Sequence, residues 1–251
     1  MELSKRQATG LLDQLRECPS IEDYHIIEFL SILSKDNPAA VLRLLIDRIE
    51  TSERNETDAD FRALPYQWHT PLQIRSHTYF QRFLGHILYW IATKLDSWPR
   101  RTMGAEFFCA AVAQQFDEQV IEVLDEAIGT GSREQIEAVG AILRQAPRAL
   151  AWENVDFVRR VLAAADQHGD DCLQHVSGAL HAAAVSGMRS GTPGEPFGED
   201  IEQRDKSAAI ARTLPHGSIE ERFYRSLERS AQENIRWHEV RDEKLIDGRD
   251  W

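Results

Sequence analysis

The stretch Asp117 to Ala146, DEQVIEVLDEAIGTGSREQIEAVGAILRQA, constrains the fold more than any other part of the chain. Val120, Val123 and Ala127, and then Ile136, Val139 and Leu143, recur at three- and four-residue spacing on either side of Gly129-Thr-Gly131. That is the pattern of two amphipathic helices broken by a turn. Ser132 and Gln135 form a capping box, in which each residue satisfies a free backbone donor at the helix start. WENVDFVRRVLAAADQ and DDCLQHVSGALHAAAVSG then repeat the arrangement. A shift of 35 residues superposes Val120 on Val155, Val123 on Val158 and Ala127 on Leu162, and a shift of 37 superposes Ile136 on Leu173, Val139 on Val176 and Leu143 on Leu180. The two-residue difference falls in the turn, where insertions are tolerated.

Helical periodicity extends along most of the rest, with no convincing alternating strand. Ser20 reads as an N-cap for a helix through IEDYHIIEFLSIL to about Lys35. Asn37-Pro38 places a cap and a first-turn proline ahead of a helix reaching about Ser52, with Val41, Leu42, Leu45 and Ile49 on one face. TSERNETDAD, Thr51 to Asp60, reads as an acidic loop. Thr70-Pro71 repeats the cap-and-proline signature and predicts a long apolar helix toward Lys94. After the glycine- and proline-rich GMRSGTPGEPFGED, a short helix is expected from Ile201 to Leu214. A last one opens at the capping box Ser218/Glu221, with Ile219, Phe223, Leu227, Ala231 and Ile235 as its apolar stripe. Beyond Ile235 the stripe is lost, and the tail is expected to fray or dock elsewhere.

Paired helices with this period, over Arg101 to Gly187, resemble HEAT and armadillo repeats. The resemblance implies an all-α solenoid of antiparallel helix pairs, about 9–11 helices in all, in a single elongated domain over 1–251. A sub-boundary is expected at 51–70 and a long Gly/Pro loop at 187–200. An irregular helical bundle is the competing architecture. The sequence from Gly187 through RFYRSLERSAQENIRWHEVRDEKLIDGRDW resembles the C-terminal helical region of large bacterial multidomain proteins, phage-defence components among them. That likeness carries over no residue roles.

Charge narrows the function. With 41 Asp and Glu against 29 Lys and Arg the net charge is −12, which disfavours non-specific attraction to nucleic acid or anionic membranes. Apolar residues make up 42%, enough for a real core in a chain of 251 residues. Cys18, Cys109 and Cys172 are odd in number and lack CxxC spacing, so a disulfide framework is not expected and a reducing cytoplasm is. The start lacks the apolar core of a secretory signal. The runs HIIEFLSIL and GHILYWIA fall short of the ~20 residues that span a bilayer.

No motif carries chemistry. HGDDCLQH plus His181 offers metal-ligating side chains in His168, Asp170, Asp171, Cys172, His175 and His181, but they do not converge. His181 lies six residues from His175, about 240° round a helix, and Gly169 and Asp170 read as a helix end and the next N-cap. Gly129-Thr-Gly131-Ser132 precedes a helix but follows another and lacks a P-loop lysine. No catalytic residue, metal or cofactor is expected.

Phe61 to Leu95 differs in kind. It contains no Asp or Glu, and it holds eight of the 21 aromatic residues together with Arg62, Arg75, Arg82 and Lys94. Phe83, Leu84, Ile87, Leu88 and Ile91 form a core stripe, and Arg75, Tyr79, Arg82 and His86 form a second one. Aromatics and arginine are the residues enriched at binding hot spots, so that second stripe is the expected partner-binding face. Phe197 is expected to anchor the 187–200 loop in a helix groove, with Arg189 and Glu195 at its rim. The reading is a non-catalytic scaffold, adaptor or sensor subunit that holds another protein within a larger complex, in a bacterial defence or regulatory assembly. A nucleic-acid-binding HEAT-like protein is the alternative, disfavoured by charge. A helical hydrolase is the third, and it lacks convergent groups.

Overall fold

The computed structural model describes residues 5–54, 60–129, 131–187, 189 and 195–246. Among them there are twelve helices and no strand. By its contacts the chain divides into two compact units, Met1–Ala146 and Pro147–Trp251, and the division falls at Ala146/Pro147, away from 51–70.

The first unit holds α1 (Lys5–Glu17), α2 (Tyr24–Asp36), α3 (Pro38–Arg54), α4 (Phe80–Ala92), α5 (Trp98–Ala111), α6 (Glu118–Gly129) and α7 (Arg133–Leu143). Helix α4 packs on α5, α6 and α7, and α3 packs on α1, α2 and α5. On α4 the buried face is Phe80, Leu84, Ile87, Leu88 and Ile91, while Phe83 is only half-buried. Gly104 lets α5 come close to α4: a Cβ there would lie 2.8 Å from Ile91 Cγ1. Pro38 opens α3 as expected, because its missing N–H has no intrahelical role. Ser132 Oγ accepts the Gln135 amide at 3.2 Å, which fixes the start of α7.

Three expected boundaries move. Helix α2 starts at Tyr24, not at Ile21, because Ile21 is fully buried in the non-helical stretch before it and Asp23 takes the cap by accepting the His25 amide at 2.8 Å. Helix α3 continues through Thr51 to Arg54, so that part of the expected loop is helical; 55–59 lie outside the described residues. The helix expected from Pro71 begins only at Phe80. Ser31 Oγ donates to Pro71 O at 2.6 Å, and the Gln73 amide donates to Ser34 Oγ at 2.7 Å. These α2 serines are fully enclosed, and they hold 71–73 open while Leu72 and Ile74 enter the core. Tertiary hydrogen bonding here overrides a local helix-start signal.

Among the described residues Arg48 is the largest side chain with no exposed surface. Its Nε donates to Ala63 O at 3.0 Å, one terminal nitrogen donates to Leu15, Arg16 and Cys18 O at 2.5–3.3 Å, and the other donates to Arg62 O at 2.5 Å. Leu15 and Arg16 belong to the last turn of α1, whose carbonyls have no intrahelical partner. One guanidinium therefore caps α1 and ties 62–63 to α3. The Phe61 ring lies 4.6 Å from its carbon.

The second unit holds α8 (Leu150–Glu153), α9 (Val155–Gln167), α10 (Asp170–Val185), α11 (Gly198–Thr213) and α12 (Ile219–Ile246). Gly169, at φ 95°, is itself the N-cap of α10, one residue before the expected Asp170. Helix α12 buries Phe223, Leu227, Ala231 and Ile235 and runs on past the end of that stripe to Ile246. At its start Ser218 Oγ accepts the Glu221 amide at 3.1 Å, and Glu221 reaches back to the Gly217 amide at 2.6 Å.

Candidate functional site

The four residues expected to form one helical stripe separate once α4 starts at Phe80. Arg75 lies in the irregular stretch before it and is held by the chain itself. Its guanidinium pairs with Asp117 and donates to Val112 O at 3.2 Å and Gln115 O at 3.4 Å. It thereby clasps the turn between α5 and α6, where Ala113 and Gln114 adopt φ values of 52° and 58°. That left-handed conformation costs a residue with a Cβ roughly 1–2 kcal/mol.

Tyr79, Arg82 and His86 stay together. Tyr79 is the residue before α4, with 56% of its surface exposed, and it lies one turn before Arg82 and Phe83. With Ala39, Leu42, Arg43 and Ile46 of α3 they line a groove of about 560 Å³ between α3 and α4. The α3 wall follows from sequence spacing, since 39, 43 and 46 fall on one helical face. Phe83, Leu42 and Ile46 supply apolar surface within it. Asp47 and Glu50 also line the groove, and both are engaged elsewhere. Asp47 pairs with Arg16 at 3.0 Å; Glu50 accepts the Trp90 indole N–H at 2.9 Å and Arg100 at 3.4 Å. Among the described residues, Arg43 and Arg82 have neither a hydrogen-bond nor an ion-pair partner, and both are exposed.

Arg82 also borders a second groove of about 580 Å³ between α4 and the α6–α7 pair. Tyr89, 61% exposed, and the carboxylates Glu122 and Glu126 line that side. Behind the first groove, Glu53 of α3 is nearly enclosed between Lys94 at 3.2 Å and Arg100 at 2.6 Å. Burial pushes its carboxyl up, but hydrogen bonds from Ser97, Arg100 and Lys94 outweigh that and hold it below the usual range. The acid-free segment is thus neutralised at its end by acids of α3.

Phe197, the fifth expected site residue, is half-buried at the start of α11, and its ring meets His238 of α12 edge-on at 4.2 Å. Of the loop expected at 187–200, positions 188 and 190–194 lie outside the described residues, and 198–200 already belong to α11. Its two ends are joined: Arg189 Nε lies 2.9 Å from Asp200 Oδ1, and the same guanidinium donates to Val185 O at 3.4 Å.

Sequence reasoning missed the buried face of α11. Asp200, Gln203 and Ser207 are enclosed at the i, i+3, i+7 spacing of a core stripe. Gln203 donates to Leu227 O at 3.3 Å, Ser207 accepts the Trp152 indole N–H at 3.1 Å, and Asn234 donates to Asp200 at 3.4 Å. The signal was available in GEDIEQRDKSAAIART: where other helices place leucine and valine, this one offers polar residues and alanine.

The constellation around Cys172 is dispersed. Cys172 is fully buried, His175 is exposed, and His168 is the C-cap of α9. His181 lines a shallow groove between α10 and α12, and burial pulls its imidazole below the usual range. Burial likewise pushes the Cys109 thiol far up, away from thiolate chemistry. Among the described residues no group of three or more His, Cys, Asp or Glu is arranged to hold a metal, and no helix is long and apolar enough to cross a membrane. Comparison with protein-family models, curated proteins and solved structures finds no match.

Proposed function

We propose that this chain is a non-catalytic helical interaction module that holds another protein on the α3–α4 face of its first unit. One observation carries the reading. The groove there combines apolar surface, a tyrosine with 56% of its surface exposed and two arginines without an ion-pair partner among the described residues. Aromatic and arginine side chains around a desolvated patch are what a binding hot spot uses. Arg75 is left out of this face because the α5–α6 turn already occupies it. The repeat character belongs to the same proposal. At four of the six superposed pairs, Val123/Val158, Ala127/Leu162, Val139/Val176 and Leu143/Leu180, both members are buried, while Val155 and Leu173 are half-buried opposite buried Val120 and Ile136; the four matched pairs support two copies of one helix-pair unit of HEAT-like type.

The test is stoichiometric capture from the native cell with the wild-type chain and with Ala39→Trp, which places an indole in the groove from an exposed position. The wild type is expected to retain a protein partner that the variant loses at unchanged melting temperature. A partner retained equally by both, or no stoichiometric protein partner, overturns the reading.

A further inference from the structure

The nature of the partner follows from the charges of this groove, on the footing that the α3–α4 face is the binding surface. We infer that it takes an acidic amphipathic segment of a partner protein, with aliphatic side chains laid over Leu42, Ile46 and Phe83 and carboxylates meeting Arg43 and Arg82. The two walls carry opposite charges in the sequence, but not in effect. Asp47 meets Arg16, which Asp13 also meets at 3.3 Å, and Glu50 accepts from the Trp90 indole and shares Arg100 with Glu53, an acid that Lys94 meets as well. Arg43 on α3 and Arg82 on α4 have no such partner among the described residues. The charge left unneutralised at the groove is therefore positive, in a chain whose net charge is −12. Arginine stays cationic at any physiological pH and presents a planar fork that matches a carboxylate.

The groove runs between two helices and presents Leu42, Ile46 and Phe83, and an apolar groove of this kind is what takes the apolar face of an amphipathic helix. A nucleic-acid strand fits less well. Two cations release few counterions, so affinity at physiological salt would be slight. The apolar floor offers a phosphate backbone nothing.

The full chain, immobilised, would be panned against a phage-displayed library of random 16-residue peptides, with counter-selection on Ala39→Trp. Peptides rich in Asp and Glu interleaved with Leu, Ile and Phe at helical spacing are expected. A fluorescent copy of the best binder, measured by anisotropy, should lose at least about tenfold in affinity against Arg43→Glu/Arg82→Glu. A peptide with its acids changed to lysine should regain affinity for that double variant, which a mere loss of fold could not produce. Groove-dependent peptides without acidic enrichment would overturn the acidic-segment inference and leave the interaction reading standing. No peptide that distinguishes the wild type from Ala39→Trp would count against both. Two further measurements name the rival occupants. Binding of a dT20 oligonucleotide abolished by Arg82→Glu would replace the peptide with nucleic acid, and a dimer dispersed by Ala39→Trp in sedimentation velocity would replace it with a second copy of the chain.

Discussion

Arg48→Met should remove a clasp, not just a charge. The side chain is fully enclosed and serves the carbonyls of Leu15, Arg16, Cys18, Arg62 and Ala63, and among the described residues no carboxylate makes an ion pair with it. Burial lowers its basicity to about 10, so it remains a cation at neutral pH. Methionine fills much of the volume but leaves five carbonyls without their donor. Each hydrogen bond to a charged group contributes about 1.5–3 kcal/mol, and the lost desolvation cost of the guanidinium offsets part of the sum. A net loss of about 4 kcal/mol follows, within the ~3–5 kcal/mol seen when one side of a buried charged contact is removed. That is a large fraction of a typical domain's ~5–15 kcal/mol. With a urea slope of about 2 kcal/mol/M, the midpoint of the first unit should fall by about 2 M. Arg48→Lys should recover only part of this, because three donors on one nitrogen cannot span carbonyls on both sides. Circular dichroism against urea gives the midpoint. Hydrogen exchange gives the location, since the Arg62 amide, which donates to Pro19 O at 2.7 Å, should lose protection early. A midpoint shift below about 0.5 M for the methionine variant, or a lysine variant equal to the wild type, would show that the five contacts are not what joins α1 and 62–63 to α3.

Gly104→Ala should lower the melting temperature. The new methyl meets Ile91 Cγ1 at 2.8 Å and Trp90 Cζ3 at 3.2 Å, and overpacking of about 1–3 kcal/mol exceeds the ~1 kcal/mol helix-propensity gain; an unchanged or higher melting temperature refutes it. Gln114→Gly should act the other way. The residue is exposed at φ 58°, and relief of about 1–2 kcal/mol exceeds the ~0.5–1 kcal/mol entropic cost of glycine; calorimetry showing a lower stability sinks the argument. His181→Gln should flatten the fall of stability on acidification. Burial depresses the folded imidazole, so the unfolded chain takes up a proton near pH 6.5 that the folded chain refuses. Stability due to neutral His181 is whole above that pH and declines as pH drops toward the folded value, by at most about 1.4 kcal/mol per pH unit. Urea midpoints from pH 7 to 5 for both proteins check this, and parallel curves would refute it.

The parts of the fold legible in the sequence are those in which one helix carries its own signals. Pro38 opens α3, the Ser132 cap opens α7, and the α6/α7 and α9/α10 pairs announce themselves by period and turn. Helix α5 escaped because it is buried on nearly every side, from Phe107 to Ala111 without a break, and so has no polar face to set a period. Helices α1 and α8 escaped too, the second being a single turn. Arg48 was in view all along: with Val41 and Leu45 it makes an i, i+4, i+7 set on the apolar face of α3. An arginine in a core slot asks where its five donors go, and only the folded chain answers, with carbonyls 14–33 residues away.

The expected stripe divides because of where α4 begins. Arg75, Tyr79, Arg82 and His86 read as one stripe only if a helix runs unbroken from Pro71. The buried hydroxyls of Ser31 and Ser34, some 40 residues earlier, prevent that helix from starting there. Once the backbone at 71–73 is held open, Arg75 is free to reach the α5–α6 turn, and the other three are carried onto α4 or the residue before it. Their surface is then completed by α3, which supplies six of the ten residues that line the groove, among them Asp47 and Glu50, acids that Arg16 and Arg100 already meet. A count of charges along the chain gives this groove as many acids as arginines. The count of charges still unpaired gives only arginines among its permanently charged groups, and that difference sets the chemistry expected of a partner.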